Sequence, residues 1–328
     1  MDVTINFLLI IIGFFLLIKG ADLLVNGASS LAKRFNVSDI AIGLTIVAMG
    51  TSAPELVVNI ISGTVVTENG THDVVFGNII GSNIFNIFLI LGISSIIYPL
   101  TVQRNALWKE IPYSLVATVI FFILVNDQMF HLGPTSQLGI IDGIILLVMF
   151  SFFILYIFLN LKRNPDDSEL VEDIVILTSL KTTLYIILGI GGLTFGGKMI
   201  VDNAVSVAET FKVSEKLIGL TILAAGTSLP ELATSAVAAY QKKSDLAVGN
   251  IVGSNIFNLL LVLGATSIIH NPIIYNTVLN IDLVIVMIGT FMLFIFMFTF
   301  QKYRLDRSEG AIYLIGFLAY MVYLFNRL

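Results

Sequence analysis

No cysteine occurs in the 328 residues, which excludes disulfides, thiolate metal centres and cysteine nucleophiles. Charge is nearly as scarce. Asp, Glu, Lys and Arg make up 12% of the chain, about half the roughly 25% of an average soluble domain. The three histidines, His72, His131 and His270, lie in separate connections without metal-ligand spacing and read as solvated surface. Neither an H-E-x-x-H segment nor a serine-base constellation is present, so the sequence indicates no enzyme. The net charge of −5 sits mostly in short loops and gives no sign of a nucleic-acid partner. The amino terminus, MDVTINFLLI, lacks the basic region and small-residue cleavage site of a signal peptide and reads as the start of a membrane helix.

Apolar runs are what the chain has in abundance, with 57% hydrophobic residues and a mean hydropathy of +0.97. Many exceed the ~18 residues that can cross a bilayer as a helix. The short alternating segments of a membrane barrel are missing. The expected fold class is therefore an all-α integral membrane protein in contact with the lipid bilayer. Ten spans are expected, at about residues 5–32, 38–63, 74–98, 108–126, 137–160, 178–209, 215–240, 245–269, 276–300 and 309–326. The one sizeable hydrophilic connection, KRNPDDSELVED at residues 162–173, is expected to be a cytoplasmic linker between residues 1–161 and 174–328. With the amino terminus outside, twelve lysines and arginines fall in inner loops; only Lys212, Lys216 and Arg327 fall outside. This bias predicts a multi-pass protein of the cell membrane with both termini outside.

The halves repeat. IGLTIVAMGTSAPEL (residues 42–56) returns as IGLTILAAGTSLPEL (218–232), identical at 12 of 15 positions, and GNIIGSNIFNI (77–87) returns as GNIVGSNIFNL (249–259), identical at 9 of 11. These motifs lie within about residues 42–92 and 218–264. Five spans per half is an odd number, so the copies must enter the membrane from opposite sides. The result is a pair of inverted five-helix repeats, an architecture of secondary transporters with the substrate site near the midplane.

Each GTSxPE segment puts a helix breaker and a carboxylate at mid-membrane. Gly50 and Gly226 permit unusual backbone angles; Pro54 and Pro230 suit the first turn of a new helix. The expected geometry is a helix that stops near the glycine and restarts at the proline. Carbonyls freed by the break at Ala48, Thr51, Ala224 and Thr227, hydroxyls of Thr51, Ser52, Thr227 and Ser228, and the carboxylates of Glu55 and Glu231 form an all-oxygen set suited to hard cations. The competing structural account is a capping box, Ser52 with Glu55 and Ser228 with Glu231. A carboxylate at mid-membrane costs ~2.5–3.5 kcal/mol against ~1 for a lost cap, so capping does not explain two symmetric copies.

In the second motif Ser82 and Asn86, and Ser254 and Asn258, share a helical face and can complete a cation shell. Asn83 and Asn255 point elsewhere and are expected to bond to broken backbone. Gly77 with Gly81, and Gly249 with Gly253, have the spacing of close helix approach. Lys19 with Asp22, and Lys198 with Asp202, read as local neutralisation within their spans. Asp73 and Asp245 read as charge complementation at helix starts.

GTSAPE with GNIIGSNIFN, repeated as GTSLPE with GNIVGSNIFN, resembles the two alpha-repeats of the cation/Ca2+ exchanger superfamily, prokaryotic Na+/Ca2+ exchangers above all. The likeness covers essentially the whole chain. It implies ligation of the transported Ca2+ and Na+ by Glu55 and Glu231, lined by Thr51, Ser52, Thr227, Ser228 and the backbone of Ala48 and Ala224. Ser82, Asn86, Ser254 and Asn258 match the remaining ligand positions. Some relatives, potassium-dependent ones among them, have aspartate where this chain has Asn258, which points away from potassium coupling. Proton-coupled members typically replace the threonine-serine pair by asparagine-alanine, so Thr51-Ser52 and Thr227-Ser228 favour Na+ over H+. The expectation is Na+/Ca2+ antiport without a cofactor. An H+/Ca2+ antiporter of the same superfamily and a cation channel are the alternatives.

Overall fold

The computed structural model describes residues 3–67, 70–104, 108–131, 133–160, 176–211, 224–299 and 301–327. Its helices are α1 (Val3–Phe35), α2 (Asp39–Thr51), α3 (Ala53–Ser62), α4 (Asp73–Ile97), α5 (Glu110–Val125) and α6 (Ile140–Leu159) in the first half. The second half has α7 (Ser179–Thr210), α8 (Ala224–Thr227), α9 (Leu229–Tyr240), α10 (Ser244–Ile269), α11 (Asn280–Phe296) and α12 (Arg307–Arg327). Helices suit these sequences because each satisfies its own backbone where no water is available.

Local signals set several ends. Lys33 and Arg34 occupy the last turn of α1, where they complement the helix dipole. Asn36 follows with a φ of 53°, the left-handed conformation that ends many helices. Ser38 starts α2 by accepting the Ala41 amide at 3.3 Å. Among the described residues three helices carry a π-helical stretch, at Gly43–Val47 in α2, Phe85–Ile90 in α4 and Phe257–Val262 in α10.

Among the described residues, seven helices are long and apolar enough to cross a membrane, and the bent pair α2–α3 makes an eighth. The other two expected spans correspond to the 16-residue α5 and to α8–α9. The start of the latter span, with Lys212 and Lys216, lies outside the described residues, as does the linker at 162–173.

The packing is inverted relative to a water-soluble domain. Large apolar side chains such as Phe7, Ile11, Phe15, Phe152, Leu180 and Ile315 are exposed on α1, α6, α7 and α12, forming the surface that faces lipid in a membrane protein. The centre is instead rich in buried Asn, Ser, Thr and Glu. Nearly all of α10 is buried. It packs on α2 so closely that a Cβ at Gly249 would lie 2.8 Å from the Ile40 carbonyl oxygen, and one at Gly253 would lie 2.8 Å from the Ala48 Cβ. Small-residue spacing serves helix approach here, as expected. Gly77 and Gly81 differ: among the described residues nothing lies within 4 Å of a Cβ built on either.

Helix α1 lies along α7 with glycine against glycine, a Cβ on Gly192 falling 3.0 Å from the Gly20 Cα. Asn6 donates to Ser206 at 2.9 Å, and Ser30 and Thr182 share a hydrogen bond of 3.1 Å at the opposite end. Two antiparallel clips join the halves: β1 (Leu100–Thr101) with β4 (Arg304–Leu305), and β2 (Gln137–Leu138) with β3 (Ile273–Ile274).

Candidate functional site

The chain breaks where the sequence indicates, though two residues past the glycine. Helix α2 ends at Thr51, Ser52 is non-helical, and α3 begins at Ala53 with Pro54 in its first turn, at a bend of 43°. Neither Gly50 nor Gly226 takes a positive φ, so unusual backbone angles are not their role. Both instead let the broken segments approach α7: a Cβ on Gly50 would lie 2.8 Å from Ile190 Cδ1, and one on Gly226 would overlap Val201.

The Ala48 carbonyl is not left vacant. It accepts the Ser52 amide at 2.9 Å and faces the Thr51 hydroxyl at 3.3 Å. Ala224 opens α8, and the segment before it lies outside the described residues.

The restarts bring Glu55 and Glu231, both fully buried, into the first turns of α3 and α9. Neither forms a capping box, since Ser52 and Ser228 make no side-chain cap bond. Each serine crosses to the other half instead. Ser52 Oγ donates to Glu231 Oε1 at 3.0 Å, and Ser228 Oγ lies 2.8 Å from Ser82 Oγ. Ser82 donates to Glu55 Oε1 at 3.4 Å and Ser254 to Glu231 Oε1 at 3.5 Å. Thr51 donates to Asn250 Oδ1 at 3.1 Å and Thr227 to Asn78 Oδ1 at 3.3 Å.

Four asparagines complete the centre. Asn83 Nδ2 donates to the Asn255 carbonyl at 3.4 Å, and Asn255 Nδ2 to the Asn83 carbonyl at 3.5 Å. A carbonyl only accepts, so these contacts fix which end of each amide is nitrogen. Asn255 Oδ1 then receives Asn86 Nδ2 at 2.9 Å, and Asn83 Oδ1 receives Asn258 Nδ2 at 3.0 Å. The oxygens of Asn86 and Asn258 are what remain. Asn83 and Asn255 do bond to backbone, but to each other's carbonyls within α10 and α4 and not to the broken segments as expected, and the bonds orienting Asn86 and Asn258 are the part that sequence reasoning missed.

Glu55 Oε2, Glu231 Oε2, Asn86 Oδ1 and Asn258 Oδ1 are buried without a hydrogen-bond partner. Among the described residues no ion pair reaches either glutamate. Unpartnered buried oxygens and unpaired buried carboxylates are each strongly unfavourable. A hard cation relieves both at once, binding to oxygen alone and balancing charge. Among the described residues no group of three or more His, Asp and Glu is arranged to hold a metal ion, and the unpartnered donors at this centre are oxygens alone.

Outside the centre several expectations change. His72 and His270 are not solvated surface. His72 is buried and accepts the Ile274 amide on Nδ1 at 3.1 Å, while His270 Nε2 is 2.8 Å from the Ile60 carbonyl oxygen; His131 is exposed as expected. Lys198 and Asp202 pair at 3.5 Å, but Asp22 accepts from Asn26 at 3.1 Å and from Gln241 at 2.8 Å, across to the second half. Asp73 and Asp245 do occupy first turns, and each also accepts a side-chain amide, from Asn276 and Gln103 respectively. Glu110, Asp282 and Glu309, buried acids in first turns, were not signalled by any repeated motif.

A family model described as sodium/calcium exchanger protein matches residues 5–159 and 181–326. The chain is 37% identical to the putative antiporter CaxA of Alkalimonas amylolytica, over 91% of this chain and 92% of that protein. It is 30% identical to the sodium/calcium exchanger MaX1 of Methanosarcina acetivorans, with 98% of this chain and 99% of that protein covered. Its fold is similar to solved structures of the sodium-calcium exchanger NCX_Mj; for one of them the TM-score is 0.81 at 28% identity, covering 97% and 98% of the two chains.

Proposed function

Because the chain belongs to the sodium/calcium exchanger protein family, whose model matches almost all of it, we propose that it is a secondary antiporter exchanging Na+ for Ca2+ across the cell membrane by alternating access. The observation that carries this reading is the set of four unpartnered buried oxygens around Glu55 and Glu231. Two carboxylates match one Ca2+ in charge. Na+ replaces it as several ions spread over the carboxylates, Asn86, Asn258 and the hydroxyls of Thr51, Ser52, Ser82, Thr227, Ser228 and Ser254. The two ion types compete for one ligand set, and that competition couples their fluxes.

Residues 1–161 and 174–328 act as two inverted five-span repeats, joined on the cytoplasmic side by residues 162–173, with both termini outside. An empty site with two unpaired carboxylates resists crossing and so suppresses leak. Helices α1 and α7, which pack along each other and touch both breaks only from the side, form the moving pair. The backbone of Ala48 and Ala224 lines the site; at Ala48 a cation displaces the Thr51 hydroxyl, leaving the Ser52 amide in place.

Ca2+ flux into proteoliposomes driven by an imposed Na+ gradient tests the reading. Wild type is active, and Glu55→Gln and Glu231→Gln are each inactive. Full activity in both variants overturns the site. The two carboxylates are also able to carry protons, so flux driven by a pH gradient and indifferent to Na+ assigns the protein to H+/Ca2+ exchange instead. Flux without countertransport would indicate a channel.

A further inference from the structure

Thr51 and Thr227 stand beside the two buried carboxylates, and each hydroxyl has a single hydrogen to place. Glu231 is a neighbouring acceptor for Thr51, and Glu55 for Thr227. Another acceptor is an asparagine of the opposite half, Asn250 Oδ1 at 3.1 Å from Thr51 and Asn78 Oδ1 at 3.3 Å from Thr227. Both ends of each of these amides are bonded. They differ in this from Asn86 and Asn258, whose oxygens are unpartnered.

Two further bonds hold the oxygen of Asn78 toward Thr227. Asn59 Nδ2 donates to the Val75 carbonyl at 3.2 Å, and a carbonyl only accepts. Asn59 Oδ1 is therefore the end that receives Asn78 Nδ2, at 2.7 Å. The Asn78 amide is locked with its oxygen on the threonine. In the other copy Asn250 Nδ2 meets the Ser235 hydroxyl at 3.0 Å. A hydroxyl both donates and accepts, so this contact does not lock the Asn250 amide. Thr51 also has other outlets for its hydrogen, the Ala48 carbonyl at 3.3 Å and the Ser254 hydroxyl at 3.4 Å. Asn59, Asn78, Asn250 and Ser235 are all buried.

We infer that Asn78 and Asn250 are positioning residues of the ion site. Each takes the hydrogen of its threonine hydroxyl, so that the threonine oxygen and the neighbouring carboxylate both turn lone pairs to the bound cation. Without the asparagine the hydrogen goes to the carboxylate, the stronger acceptor, and competes with the ion. Asn59 acts one step further out, through Asn78, as outer-shell residues do at metal sites. The locked amide belongs to Thr227 and Glu55, and the amide free to turn belongs to Thr51 and Glu231. The role rests on the antiport reading in one respect, that a cation occupies the centre.

The test is a double-mutant cycle on the purified full chain, read by calorimetric Ca2+ titration in Na+-free buffer, with thermal unfolding as the check on folding. Asn78→Leu is expected to weaken Ca2+ binding ~10–100-fold while Thr227 is present. Added to Thr227→Val, which removes one neutral oxygen, it is expected to cost nothing more. Asn59→Ala should act in the same direction, less strongly, and should likewise be silent beside Thr227→Val. A loss of the same size with and without Thr227→Val means that Asn78 supports the fold alone, and overturns the role. Wild-type affinity in Asn78→Leu overturns it too. If Asn78→Leu does not fold, Asn250→Leu with and without Thr51→Val puts the same question to the other copy, with the same deciding outcomes. Glu55→Gln keeps the two readings apart. Full Ca2+ affinity in that variant removes the central site itself, whereas its loss beside a silent Asn78→Leu removes only the positioning role.

Discussion

Around Glu55 and around Glu231 the hydrogen bonds are the same in kind: a serine from the other half or its partner serine, a threonine bonded to an asparagine, and an asparagine amide fixed by its counterpart. Away from the carboxylates the two copies diverge. Asn78 donates onward to Asn59 at 2.7 Å, and Asn59 to the Val75 carbonyl, whereas Asn250 donates to Ser235, beyond which the relay does not continue among the described residues. Gly249 and Gly253 are packed against α2; the matching segment for Gly77 and Gly81, at residues 212–223, lies outside the described residues. On the proposed reading both copies share one ion, which holds the centre to a common chemistry. Beyond the centre each relay is set by the packing of its own half.

The largest effects test the shared centre. Glu55→Gln and Glu231→Gln each leave a buried Ca2+ with one of its two counter-charges, a loss of about 3 kcal/mol or more and at least ~100-fold in Ca2+ affinity. Isothermal titration with Ca2+ should give losses equal within a few-fold. A variant that keeps wild-type affinity breaks the equivalence of the two copies. Next come Asn83→Ala and Asn255→Ala. Each frees the amide of Asn258 or Asn86 to turn its nitrogen toward the ion, and outer-shell losses of this kind typically weaken metal binding by ~10–100-fold. Conservative replacement by Gln should not restore binding, because the backbone contact on the far side is fixed in length.

A smaller effect separates the halves. On α1, Asp22 and Asn26 are bonded to Gln241 and Lys243 at the end of α9, at 2.8 and 3.2 Å. On α7, Asp202 pairs, among the described residues, within its own helix, with Lys198 and Asp202 side chains 72% and 59% exposed. Gln241→Ala removes one hydrogen bond to a carboxylate, about 1 kcal/mol, and shifts the equilibrium between the two open states roughly fivefold. Half-saturating Ca2+ measured on each face reads that shift. Lys198→Ala removes an exposed pair and should leave both faces unchanged.

The repeated motifs, the broken helices and the polar residues that gather at the centre were legible in the sequence because identical short motifs carry rare residues into apolar surroundings. The roles of Gly50 and Gly226 were not: a glycine beside a proline suggests backbone freedom, and only the position of α7 shows that the space is needed for Ile190 and Val201. The capping box was set aside correctly, and the structure shows why. S-x-x-E specifies a cap when its serine has no better partner, and here the partner of Ser52 is Glu231, 179 residues away. Asp282 and Glu110 went unnoticed because a single acid at a helix start looks like dipole complementation, and their burial follows from how α5, α11 and α12 pack.

The smallest effect concerns the residues that precede the second motif in each half. His72 stands before α4, and Ser244, at the matching position, opens α10. Both are buried, but only His72 titrates. Burial holds its pKa below the usual histidine value, the neighbouring His270 acts in the same direction, and Asp73 opposes them. The bond from the Ile274 amide to Nδ1 exists only while that nitrogen is unprotonated. A depressed folded-state pKa means that the unfolded chain takes up the proton first. The stability from neutral His72 is therefore complete above about pH 6.5 and is lost as pH falls below it, until the folded protein protonates too. Thermal unfolding in detergent should show wild type losing Tm between about pH 7 and pH 5 relative to His72→Asn. Ser244→Ala should show the same pH dependence as wild type. If His72→Asn and wild type lose Tm in parallel, the imidazole is not strained by its site, and the two helix starts are equivalent in energy although they differ in sequence.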